Sequence, residues 1–339
     1  MTPNSLRAEN IGCRLCLVTP SLNGAAYLES AIQSVVHQEG FNRVDYVLMD
    51  GGSRDGSQEI IAKYAEFISY SESKADKGLY HAVEEGFNKS DAEIMGWLNA
   101  DDKLCPWTIQ LVLRIFDQLP EVSFITSGMP LIMDSQGVVY RADLLPGVKR
   151  RDFLSGLNLP NQGWPATNFI SQESTFWRRS LWDRAGGGFD HSLKLACDFE
   201  LWARFLEFEK LHVVDSPMAM FRPHGTNLSI LSRDEYAREA RGVLSKHGFL
   251  DGPNKSELSA RVRRLFLEYK ELVADPLELE RPTFISYDEA SKKHIAGPRW
   301  LPEQDHGVEK SARSSLLQKL SRFLLGSKVE RSRNTTPIS

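Results

Sequence analysis

The strongest constraint on this chain is the alternation in its first third. Between residues 14 and 126, short runs rich in β-branched and apolar residues alternate with amphipathic stretches. Residues 14–19 (RLCLVT), 44–49 (VDYVLM), 67–71, 93–98 (EIMGWL) and 122–126 read as strands. Residues 24–37, 56–67, 78–88 and 107–118 read as helices. In the first helix, Ala25, Leu28, Ala31, Ile32, Val35 and Val36 recur at helical spacing. Asp55 with Gln58 three residues on predicts a capping box at the second. Strict β–α alternation predicts an α/β fold with a mostly parallel sheet flanked by helices. Ligands of such sheets sit at the carboxyl ends of the strands, which here means just after Thr19, Met49, Ser71 and Leu98.

All four ends carry polar clusters: TPSLNG after the first, DGGSRDG after the second, DKG after the third and NADD after the fourth. Any one could be turn chemistry, since Gly, Asn, Asp and Ser dominate turns. Four on one sheet edge are harder to dismiss, and they bring Asp50, Asp55, Asp76, Asp101 and Asp102 together. There is no G-x-x-x-x-G-K-[ST] and no G-x-G-x-x-G after the first strand, which argues against a P-loop and a dinucleotide fold. Carboxylates repel a diphosphate unless a divalent cation takes oxygen ligands from both, so the edge points to a metal–diphosphate ligand.

The pattern changes after about Ser127. Residues 131–141 read as a hairpin around Ser135-Gln136-Gly137 and 146–171 as a long loop. Residues 174–185, 199–208, 233–247 and 256–273 read as helices, with a short strand near 211–214. The last ~60 residues read as polar and irregular. A formal charge of -4 argues against a general electrostatic grip on nucleic acid. No stretch has the roughly 18 apolar residues of a membrane-spanning helix, and MTPNSLRAENIG lacks a signal-peptide core. Four cysteines do not make a disulfide scaffold, and the Cys13-x-x-Cys16 pair falls before and inside a strand, not at a helix start, so inert thiols and a cytoplasmic location are expected.

The runs CLVTPSLNGAAYLESAIQSVV, VDYVLMDGGSRDGS, SKADKGLYHAVEEGF and EIMGWLNADDKLCP, followed by QESTFWRRSLWDRAGGGFD and CDFELWARF, resemble a family 2 glycosyltransferase of GT-A (Rossmann-like) fold. The resemblance runs from about Arg14 to Asn227. It implies four parts: an N-terminal extension (1–13), a nucleotide-sugar-binding half (14–127), an acceptor half (128–250), and a helical extension with a basic polar tail (251–339). It implies contacts to the donor nucleotide from Thr19, Pro20, Asn23, Asp50, Asp76 and Lys77. Asp101 and Asp102 match the end of a D-x-D signature for a divalent ion and donor ribose, with Asn99 where many relatives carry the first Asp, so either could be the primary ligand. Asp198 matches the catalytic base, and His224 a position that in some relatives helps bind metal or diphosphate.

Each residue also has a plainer reading. Asp55 caps a helix. Asp198 could do no more than cap helix 199–208, where the dipole would make it a weaker base. His224 could be a loop histidine. Gln172, Glu173 and Trp177 are acceptor candidates, although tryptophans at Trp177, Trp182 and Trp202 are as readily core.

The implied reaction is transfer of a sugar, with inversion, from a nucleotide-diphosphate sugar to a hydroxyl of a glycan or lipid-linked acceptor. Mn²⁺ or Mg²⁺ is the implied cofactor, and bacterial polysaccharide, glycolipid or cell-envelope glycan synthesis the implied setting. Residues 308–333 hold seven basic and two acidic side chains, net +5, and ARSSLLQKLSRFLL (312–325) has an apolar helical face. That segment could touch the inner face of the plasma membrane, or pack on its own domain. A nucleotide-sugar-binding protein without turnover is the alternative. A nucleotidyltransferase would need a Gly-rich, basic loop after the first strand, which TPSLNG is not.

Overall fold

The first apolar run forms β1 (Leu15–Ser21), a strand buried at every residue. It extends past Thr19 because Pro20 and Ser21 keep the parallel register opposite Met49 and Asp50. Then follow α1 (Ala25–Val36), β2 (Val44–Asp50), α2 (Ser57–Lys63), β3 (Tyr70–Ser73), α3 (Leu79–Phe87), β4 (Ile94–Trp97), β5 (Lys103–Leu104), α4 (Thr108–Gln118) and β6 (Phe124–Ser127). The second half gives β7 (Leu131–Met133), β8 (Val139–Ala142), α5 (Arg150–Leu154), β9 (Thr175–Arg178), α6 (Arg179–Arg184), α7 (Cys197–Phe208), β10 (His212–Val214), β11 (Ala219–Phe221), α8 (Leu228–Leu231) and α9 (Arg233–Lys246), with β12 (Thr283–Asp288) and β13 (Lys293–Gly297) beyond. These come from a computed structural model that describes residues 12–145, 147–154, 156, 158–159, 169–247, 283–288 and 291–297. The expected helix 256–273 and the 312–325 segment lie outside the described residues.

The main sheet runs β13-β12-β10-β6-β9-β4-β1-β2-β3 and is mostly parallel, as the alternation predicts. β9 and β13 run antiparallel to their neighbours. A smaller sheet, β5-β11-β7-β8, contains the expected hairpin. The period-two alternation of side chains sorts the core. Leu15 and Leu17 of β1 face one layer with Leu28, Ile32 and Val112 of α1 and α4. Cys16 and Val18 face the other, with Val83 and Phe87 of α3 and the aromatics of α7. Helix α3 sits close on β1: a Cβ on Gly86 would lie 2.6 Å from Val18 Cγ1, so only glycine permits that approach.

Three expectations are corrected. Residues 174–185 are not one helix. TFWR is β9, with Phe176 in one core layer and Trp177 in the other, and the helix starts only at Arg179. The 283–297 region is not irregular but a hairpin that extends the sheet beside β10. At α2, Asp55 does accept from Ser57 N (3.1 Å), but Gln58 Nε2 turns to the Ser53 carbonyl (3.0 Å), so the capping box is not formed. All four cysteines are free, and burial pushes the Cys16 thiol up to about 12, too high for redox work. No helix among the described residues is long and apolar enough to cross a membrane.

Candidate active site

At the carboxyl end of β1 the chain turns through Asn23, whose φ of 51° is left-handed, a conformation asparagine tolerates. The turn is tied to the one after β2. Asn23 N donates to Ser53 Oγ (2.7 Å), and Asn23 Oδ1 accepts from Arg54 N (3.1 Å). Asp55 Oδ2 accepts from Ala25 N (2.9 Å), so one carboxylate holds the first amides of both α1 and α2. Asp50 is buried and fully engaged: Ser53 Oγ and Ser73 Oγ each donate at 2.5 Å, and Ser53 N at 3.0 Å. Thr19 and Pro20 are also buried, and Thr19 Oγ1 accepts from Tyr46 OH (3.1 Å). These three therefore shape the edge from within, while Asn23, Asp76 and Lys77 are exposed on it. Asp76 Oδ1 accepts from Gly78 N (2.8 Å), and its Oδ2 lies 3.1 Å from where a Cβ on Gly51 would stand. The turns after β1, β2 and β3 thus form one wall.

The NADD cluster divides its two acids. Asp102 points inward: Oδ1 accepts from Arg222 N (2.9 Å), and Oδ2 is buried with no partner among the described residues. Burial, then the charges of Asp101 and Glu173, raise its carboxyl well above the usual range. Asp101 is partly exposed. Its Oδ2 meets His224 Nε2 at 2.8 Å and accepts from Asn227 Nδ2 at 3.0 Å. Asn227 Oδ1 in turn accepts from His224 N, and Thr226 Oγ1 lies 2.9 Å from His224 Nδ1. Arg222, buried, donates to the Asp101 carbonyl (2.8 Å) and the hairpin carbonyls of Asp134 and Ser135 (2.9 Å each). Its guanidinium stacks over Tyr27.

In the second half of the chain, Glu173 and Asp198 are both buried. Asp198 does not cap α7, whose N-cap is Ala196; it lies within the first turn. Its Oδ1 accepts from Phe199 N (2.8 Å) and Tyr236 OH (2.9 Å). Burial raises its carboxyl to about 6, against these two hydrogen bonds. Burial also raises Glu173 to about 7, with the charges of Asp198 and Asp101 adding to it. Glu173 thus feels the charge of both acids, and the short turn that carries it is tied to the NADD cluster through the Asn99–Gln172 contact.

Two acceptor candidates belong to the framework instead. Gln172 Nε2 donates to the Trp97 carbonyl (2.6 Å), and its Oε1 accepts from Asn99 (3.3 Å). Trp177 is 0% exposed, packed edge-on against Phe87, Trp97 and Trp202, so it cannot stack on a sugar. Sequence reading missed Arg222, Asn227 and Tyr236. The phrase FRPHGTN held a signal for two of them, since an Asn three residues after a His can close a turn on it.

A mostly parallel sheet with acids gathered at its strand ends and a second set of acids facing them defines a glycosyltransferase of GT-A fold. The sequence model of Glycosyl transferase family 2 matches residues 16–183, and the chain belongs to that family. An uncharacterized glycosyltransferase of Rickettsia typhi is 26% identical over 234 residues, 68% of this chain and 71% of the relative. Residues 1–349 of Staphylococcus aureus TarS in complex with UDP-GlcNAc superpose with a TM-score of 0.55 at 13% identity, covering 72% of this chain and 69% of that one. Against a longer TarS chain the match spans only 41% of its length. The mannosyltransferase PcManGT of Pyrobaculum calidifontis, in complex with GDP-Man and Mn²⁺, gives a TM-score of 0.51 at 16% identity, covering 73% and 67%.

Proposed function

We propose that the protein moves a sugar, with inversion, from a nucleotide-diphosphate sugar to a hydroxyl of a glycan or lipid-linked acceptor. The observation that supports this reading is Glu173, buried and interacting electrostatically with both Asp101 and Asp198, beside Gln172, which accepts from Asn99 of the NADD turn. Asp198 Oδ2 accepts the proton of the acceptor hydroxyl while the oxygen attacks the anomeric carbon from the face opposite the diphosphate. The bond from the anomeric carbon to the diphosphate oxygen breaks, and the nucleoside diphosphate leaves with that electron pair. At pH 7 an acid with a pKa of about 6 is ionised yet still basic enough to take a proton. The wall formed by Asn23, Asp76 and Lys77 receives the nucleotide.

The residues fit a divalent cation. Asp101 offers a partly exposed, oriented carboxylate, and His224 an imidazole at its side. Among the described residues there is no group of three or more metal-ligating side chains. That suits Mg²⁺ or Mn²⁺, which take one or two protein ligands and fill the rest from phosphates and water. Asp101 with His224 would hold the ion, and Asp102, buried and bonded to Arg222 N, would not. When bound, the cation supplies positive charge for the leaving diphosphate. PcManGT, whose structure is in complex with GDP-Man and Mn²⁺, supports the use of a divalent cation.

Calorimetric titration of UDP-, GDP- and dTDP-sugars in MnCl₂ tests the reading. Binding of one class, lost in Asp101→Asn, is expected; no binding of any class would refute it.

A further inference from the structure

Helix α9 and the acid in the first turn of α7 both lie beyond the segment that matches the family model, and the helix reaches back to that acid. Tyr236 and Glu239 stand three residues apart and so share one helix face. The Tyr236 phenol is buried and donates 2.9 Å to Asp198 Oδ1, the oxygen that Phe199 N also reaches at 2.8 Å. Oδ2 takes no hydrogen bond among the described residues. Glu239 Oε2 accepts from the amides of Leu195 and Ala196 at 2.9 Å each, and of Lys194 at 3.2 Å. These amides run into the start of α7, whose N-cap Ala196 has no side chain to serve them. From the opposite side, Tyr80 of α3 donates to the Leu195 carbonyl at 2.7 Å.

The geometry points to Tyr236 and Glu239 as positioning residues for Asp198: the tyrosine occupies one carboxylate oxygen and leaves the other to the acceptor's proton, while the glutamate fixes the backbone that aims it. The inference rests on the reading of Asp198 as base. It adds what holds that base, and the holding group, like the base itself, lies outside the family match.

A phenol donating to a carboxylate favours its ionised form, and a nearby negative charge opposes it. The groups facing Asp198 are Tyr236 and Glu239 from α9, Tyr80 from α3, Cys197 on α7 itself and Glu173 ahead of β9. Removing the phenol and removing the Glu239 charge should therefore move the Asp198 titration in opposite directions.

The test is an infrared pH titration of the full-length protein, with the carboxylic C=O band of Asp198 assigned by its loss in Asp198→Asn. Tyr236→Phe is expected to raise the midpoint by roughly one to two pH units, the worth of one charge-assisted hydrogen bond. Glu239→Gln keeps an oxygen for the three amides, removes the charge and is expected to lower the midpoint. The acid limb of turnover should follow each shift. If α9 were only a structural prop, both variants would lose thermal stability and keep the wild-type midpoint, and that result overturns the inference. Should Tyr236→Phe not fold, Glu239→Gln decides alone. If Asp198→Asn keeps its turnover while the midpoints still move, the base assignment fails and the positioning contacts stand.

Discussion

Nε2 of His224 and Oδ2 of Asp101 lie 2.8 Å apart across 123 residues of sequence, and Asn227 reaches the same oxygen. This contact fixes the exposed acid of the NADD turn from the loop after β11. It explains why the two adjacent aspartates are not equivalent. Asp101 is held at the surface by side chains, whereas Asp102 is drawn inward by the amide of Arg222.

His224→Ala should raise the Mn²⁺ concentration needed for half-maximal donor binding by about 10- to 100-fold, the usual cost of losing a group that orients or assists a ligand. Titrating MnCl₂ at fixed sugar nucleotide measures it. An unchanged requirement would remove His224 from the site.

Glu173 yields a stability prediction whose sign can be worked out. Its folded pKa of about 7 lies above the ordinary 4.5, so near pH 6 the folded state holds a proton that the unfolded state has released. Stability from this group is present at low pH and is lost as pH rises towards 7. Glu173→Gln should therefore raise the unfolding free energy above pH 7 by about 1–3 kcal/mol and give little at pH 5. Urea melts at pH 5 and pH 8 compare the two, and an equal effect at both would contradict the assignment.

Asp55 holds amides of two helices, so Asp55→Ala should lower stability by about 1–2 kcal/mol, the cost of a lost helix cap. The urea midpoint reports it. Because Asp55 also holds the amide of Ala25, just past the turn that carries Asn23, donor binding should weaken in parallel.

Trp177→Phe should leave donor and acceptor affinities intact, since the ring is sealed in the core. Trp177→Ala, by contrast, should cost about 3–5 kcal/mol through the cavity it opens. A selective loss of acceptor affinity in Trp177→Phe would restore the stacking role.

The sheet and its chemical edge were legible because hydrophobic periodicity is local: β1 to β4, β6 and the turns after Thr19, Met49 and Leu98 follow from it, whereas the two-residue β5 is too short to carry a period. β9 was not, because four residues leading straight into a helix carry too short a period, and only the gap between β4 and β6 makes TFWR a strand. Burial was equally hidden. Asp50 and Asp102 look like surface acids in sequence, and it takes Ser53, Ser73 and Arg222, brought in by the fold, to draw them inside. The Tyr236 contact to Asp198 spans 38 residues and left no pattern to read.

The central claim, that Asp198 takes the acceptor's proton while Asp101 serves the donor, is tested most directly by steady-state kinetics and donor calorimetry on Asp198→Asn. The account predicts a fall in kcat of about 10²–10⁴-fold, with donor affinity within roughly twofold of the parent. Undiminished turnover in Asp198→Asn would contradict it.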